Sequence, residues 1–111
     1  MSVVYIAGKI AGDPDYKKKF AAAAEALEAM GLIVLNPAVL PGGMKPGDYM
    51  RICTAMMESA DAVIFLPDWE QSGGALLERS WCRYTQKYIF PYNDFVRTFS
   101  GVSGKQRKST V

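Results

Sequence analysis

Residues 61–78 read DAVIFLPDWEQSGGALLE. Ala62–Leu66 is an unbroken apolar run between Asp61 and Pro67. It has the length and β-branched content of a strand buried on both faces. The loop PDWEQSGG follows, and a helical pattern runs from about Gly74 to Gln86. A short buried strand that turns through glycines into a helix is the unit from which parallel α/β sheets are built.

The same unit recurs on either side. Val3–Ala7 is a short apolar run ending at Gly8 and the glycine-bracketed turn GKIAGDPD. A first helix is expected over 15–30, with Phe20, Ala24, Leu27 and Met30 on one face and Gly31 as its stop. Leu32–Leu35 reads as a second buried strand. The twelve-residue loop PAVLPGGMKPGD comes next, long for a plain connection and therefore a candidate functional segment. A second helix is expected from about Asp48 to Ser59, where Tyr49, Ile52, Cys53, Met56, Met57 and Ala60 form an apolar stripe. Tyr88–Phe90 reads as a fourth strand. Strand and helix alternate throughout, so the expected fold is a small doubly wound, Rossmann- or flavodoxin-like three-layer α/β sandwich. Its parallel sheet should have four to five strands.

The chain has 111 residues, half of them apolar and 22% charged, which fits one domain. It contains no histidine and only two cysteines. That excludes Ser–His–Asp and Cys–His catalysis, histidine-containing zinc sites and a disulfide scaffold. No metal or cofactor is expected, and carboxylates, tyrosines, hydroxyls and backbone amides must do any chemistry. The N-terminus MSVVYIAGK lacks a signal-peptide pattern, and no apolar run is long enough to span a membrane. A cytoplasmic protein is the expectation.

The net charge of +2 is unevenly placed. Residues 1–94, the expected α/β domain, hold all 11 acidic residues and 9 basic ones. Residues 95–111 hold Arg97, Lys105, Arg107 and Lys108 and no acid, which reads as a flexible basic tail. No basic stripe interleaved with aromatics occurs in the body, so no nucleic-acid polymer is expected as a partner.

Ligands of such folds bind at the carboxyl ends of the strands. The loops there carry two glycine clusters beside helix starts: Gly8 with Gly12, and Ser72-Gly73-Gly74. Free backbone amides and the helix dipole favour an anion at these places, while glycine in such loops equally serves turn geometry. Neither cluster is a P-loop or a dinucleotide fingerprint. On the third helix Leu77, Trp81, Tyr84 and Tyr88 are expected to form the apolar face, with Glu78 about 80° from its centre. Glu78 is either a boundary glutamate or a carboxylate pointing toward the strand ends. Asp61 either ends the second helix or borders the site. Asp68 and Trp69 follow the third strand, where Trp69 either stacks on a ligand or caps the core. Tyr5 can project its hydroxyl into the site. Cys53 continues the second helix's apolar stripe, and Cys82 is likewise expected to be structural.

Taken together, VYIAGKIAG, GLIVLNPA, ESADAVIFLPDWEQSGGALLE and KYIF resemble the nucleoside 2-deoxyribosyltransferase superfamily over about residues 3–91. They are nearest to its small phage and bacterial branch and to the deoxynucleoside monophosphate N-hydrolases. The resemblance implies that Glu78 is the nucleophile, attacking the anomeric carbon of a nucleoside or nucleotide to form a glycosyl ester. A second base or water then resolves the ester. It also implies that Ser72, with Gly73 and Gly74, meets a 5′-phosphate, assisted by Lys9 beside Gly8. Cys53 stands where many members of the superfamily have an aspartate, and Ala11 where the hydrolases have an arginine. The acid is then expected from Asp61, Asp68 or solvent. PGG at Pro41–Gly43 also resembles part of the phosphoribohydrolase PGGxGT motif, but Met44-Lys45-Pro46 follows it. The resemblance further implies a homo-oligomer. The alternative is a nucleotide-binding module that has kept the pocket without turnover.

Overall fold

The computed structural model describes residues 2–99. Four strands, β1 (Val3–Ala7), β2 (Ile33–Leu35), β3 (Ala62–Phe65) and β4 (Tyr88–Pro91), form one parallel sheet in the order β2-β1-β3-β4. Its helices are α1 (Tyr16–Ala29), α2 (Pro46–Ser59), α3 (Gly73–Thr85) and α4 (92–99). The fold is the expected small α/β sandwich of Rossmann-like type.

Alternation along β1 and β3 assigns the layers. Val4 and Ile6 join Ala62 and Ile64 under α1, with Phe20, Ala23, Ala24 and Leu27 above them and Phe95 of α4 beside them. On the other face Tyr5 and Ala7 join Val63 and Phe65 against Cys53 and Met57 of α2 and Cys82 of α3. Both faces of the two central strands are therefore dry. The chain passes from β1 to β2 on one side and returns across β1 to β3 on the other. That reversal opens a crevice between the carboxyl ends of β1 and β3.

Several local features differ from the sequence expectation. β2 is an edge strand with Ile33 48% exposed, because α1 covers only one of its faces. α2 begins at Pro46, two residues early, since proline's fixed φ and missing N–H suit the first helical position. Gly31 does end α1, at φ +87°. The ordered body also continues past residue 94. α4 packs Phe95 beside Phe90 and Phe99, with ring centroids 5.2 and 4.8 Å apart. The rest of the expected basic tail, 100–111, lies outside the described residues.

The largest difference concerns α3. Its buried residues are Ala75, Glu78 and Cys82, while Leu77 is 62% and Tyr84 90% exposed. Tyr88, at the start of β4, is 73% exposed. Tyr5, Phe65 and Met57 already fill the layer beneath α3. The helix therefore approaches through its small side chains and turns the large ones outward.

Candidate functional site

Tyr5 is the third residue of β1, and its side chain faces α2 and α3. Glu78 lies one turn inside α3. The Tyr5 hydroxyl donates to Glu78 Oε2 at 2.6 Å, and Glu78 is only 6% exposed. Burial pushes the Glu78 carboxyl up to about 7, against which the Tyr5 hydrogen bond works in the opposite direction. Burial also raises the Tyr5 hydroxyl far above its ordinary range, and the neighbouring Glu78 charge adds to this. The Cys53 thiol lies beside Tyr5; burial raises it, and the Glu78 charge raises it further. Cys82, one turn beyond Glu78, is pushed up to about 11, mainly by burial. Neither thiol is primed as a thiolate.

Tyr5, Cys53 and Glu78 form part of the wall of a cavity of about 740 Å³. That volume is within the range of small-molecule sites. Gly8 and Ala11 of the first loop, and Ser72, Gly74 and Ala75 at the start of α3, complete the wall near the strand ends. The remaining wall is largely apolar. Leu40 and Met44 come from the long loop after β2, Tyr49 and Met50 from α2, and Tyr16 from α1. Tyr49 fixes that loop by donating to the Pro41 carbonyl and accepting from the Met44 N–H at 3.4 Å. These apolar walls went unassigned from sequence, where only the loop's length marked them.

Gly8 is glycine for a steric reason. A Cβ there would sit 2.9 Å from Leu66 Cδ1 and 3.0 Å from Leu66 Cβ. Ser72 caps α3, its Oγ accepting from the Ala75 N–H at 3.1 Å. Its O–H remains directed by whatever acceptor approaches. Gly74 lines the cavity beside it, whereas Gly73 is exposed and outside the wall.

The two aspartates are placed differently from Glu78. Asp61 precedes β3 at the amino end of the sheet, where its Oδ2 accepts from the Val3 N–H at 2.8 Å. The length of β3 separates it from the cavity, roughly 13 Å at strand rise. It clamps the start of β1 and does not reach Glu78. Asp68 is at the correct end but has both oxygens engaged. Oδ1 accepts from the Lys9 N–H at 3.0 Å, and Oδ2 pairs with Lys19. Lys19 Nζ also donates to the Lys9 carbonyl at 2.8 Å and to Asp13 at 2.6 Å. The cluster staples the loop after β1 to the loop after β3. Lys9 enters it through its backbone. Trp69 caps the core, edge-on to Phe65 at 5.7 Å with Arg79 4.8 Å from its ring centroid, and does not line the cavity.

The family model described as "Domain of unknown function (DUF4406)" matches residues 2–90, which include every wall of this cavity. The chain belongs to this family. Among solved structures, the DUF4406 chain is similar to one titled "2-desoxiribosyltransferase from Leishmania mexicana", with a TM-score of 0.63 and 19% identity. The match covers 80% of the DUF4406 chain and 62% of the other, so this chain spans under two thirds of that protein's length. At that identity the likeness establishes a shared fold. No curated protein matches the DUF4406 chain. Among its described residues no helix is long and apolar enough to cross a membrane.

Proposed function

We propose that this protein cleaves or transfers the N-glycosidic bond of a nucleoside or nucleoside monophosphate through Glu78. The observation that carries this is the buried Tyr5–Glu78 pair set in the wall of a largely apolar cavity at the switch point of the sheet. The 2-deoxyribosyltransferase title of a structure with the same fold supports it. The ionised Glu78 carboxylate attacks the anomeric carbon as the carbon–nitrogen bond breaks, and the electron pair leaves with the base. Water or a second base then displaces the ester and regenerates the carboxylate. Tyr5 orients the carboxylate and, by its hydrogen bond, holds down a pKa that burial raises. The base sits against Tyr16, Tyr49 and Met50. The 5′ end meets Ser72 and the α3 amides beyond Gly74, a place suited to a phosphate.

Incubation of the full chain with a panel of nucleosides and monophosphates, followed by detection of free base, tests this. Release by wild type that is abolished in Glu78→Gln is expected. No release from any substrate, or undiminished release by the variant, overturns it. A second reading, binding without turnover, is favoured by Glu78 being the lone carboxylate of the cavity wall among the described residues. Saturable calorimetric binding of a monophosphate without base release is its signature. The exposed apolar side chains of α3, with Leu77 at the cavity wall, are further proposed to join copies of the chain into a homo-oligomer.

A further inference from the structure

N-Glycoside cleavage has two requirements, a nucleophile for the sugar and a way to quench the electrons that arrive on the base. The cavity provides for the first and is poor in the second. Among the described residues, Glu78 is the one ionisable acid in its wall that changes charge near neutral pH, and no Lys or Arg joins it there. Asp61 is at the other end of the sheet, and Asp68 is consumed by Lys9 and Lys19. Tyr5 faces the pocket from β1, but its proton is committed to Glu78. Cys53 faces it from α2, and burial beside the carboxylate makes its thiol a weaker acid than usual. A base departing as an anion would therefore enter a largely apolar cavity with hydroxyls and amides but no acid or cation to take up its charge, which is costly.

We infer that the substrates are cationic N-glycosides, in which the base carries a formal positive charge on the ring that holds the glycosidic bond. The inference rests on the N-glycosidic function proposed above and names its substrate class. Pyridinium ribosides and N7-alkylated purine nucleosides are the relevant chemistry. The step then balances without an acid. Glu78 forms the bond to the anomeric carbon, the carbon–nitrogen bond breaks, and its electron pair neutralises the ring cation. The base leaves neutral and takes no proton. A cation and a carboxylate become a neutral ester and a neutral base, so charge is annihilated in a dry site, where that is most favourable. The walls suit the same ligand. Tyr16 and Tyr49 offer aromatic faces to a cationic ring, and Met44 and Met50 offer polarisable thioethers.

The test uses matched pairs with the full chain at pH 8, each rate divided by the rate in buffer alone. Nicotinamide riboside is compared with its neutral dihydro form, and 7-methyladenosine with adenosine. The expected result is a rate enhancement at least about 100-fold larger for the cationic member of each pair, lost in Glu78→Gln. Equal or larger enhancement for the neutral members, still dependent on Glu78, overturns the inference and leaves the N-glycosidic function standing. It would mean that an acid arrives from elsewhere, a second copy included. No release from either member overturns the inference, and no release from the nucleoside and monophosphate panel as well overturns both.

Discussion

Glu78 is a carboxyl held where water barely reaches, and its environment raises its pKa from 4.5 to about 7. Between those two values the native state keeps a proton that the unfolded chain has released. Stability therefore falls as pH rises through that window and levels off above it. Glu78→Gln has no proton to lose and should escape the decline. Its stability relative to wild type should grow by up to about 3 kcal/mol between pH 5 and pH 8, read from urea midpoints. A constant difference across that range would show that Glu78 is not the buried titrating group. Tyr5→Phe removes the hydrogen bond that favours the charged carboxylate. The acidic limb of the base-release profile should then move alkaline by about one to two pH units, since such bonds contribute about 1.5–3 kcal/mol. At this scale the sequence was informative where the signal is local. Glu78 follows a glycine pair by one turn, and Tyr5 sits at an alternating position in a strand. Asp68 lies after the third strand as the sequence placed it. The partners of Asp61 and Asp68, the Val3 N–H and Lys19, are 58 and 49 residues away along the chain and carry no local signal.

The element that positions Glu78 is α3, and its first turn depends on Ser72. The Ser72 Oγ satisfies one of the amides that a helix start leaves open. Ser72→Ala should cost about 1 kcal/mol, lowering Tm by about 4–8 °C, whereas Ser72→Asp, also a good cap, should lose much less. Thermal unfolding without ligand reads this directly. An alanine variant as stable as wild type would leave the serine with a ligand-binding role alone. The existence and order of the helices and strands were readable from apolar periodicity, but the buried face of α3 was not. Periodicity selects Leu77, Trp81 and Tyr84 as the large apolar set. Packing selects Ala75 and Cys82, because a helix laid over Tyr5 and Phe65 has room only for small side chains. The wall contributed by Leu40 and Met44 escaped notice for another reason. Those residues lie in a loop with no period, tied by Asn36 at its start and by Tyr49 at Pro41 and Met44.

For the whole molecule, the outward turn of α3 leaves Leu77 and Tyr84 facing solvent on a domain with little core to spare. Fully covering one such side chain stabilises by about 1.5–3 kcal/mol, so a surface carrying both favours a partner surface. A second copy of the chain is the partner proposed, and Leu77 links that surface to the cavity wall. Association there would help to close the mouth. Tyr84→Glu places a charge in the patch. The Tyr84 side chain is exposed in the single chain, so substitution should change folding stability by no more than about 0.5 kcal/mol. Sedimentation equilibrium at micromolar concentration should show wild type as a dimer or larger and Tyr84→Glu as a monomer. The variant should keep the Glu78 titration near 7, since the burial that raises it is already complete in the single chain. A wild type that stays monomeric at every concentration, or a variant that associates as wild type does, would remove α3 as the joining surface.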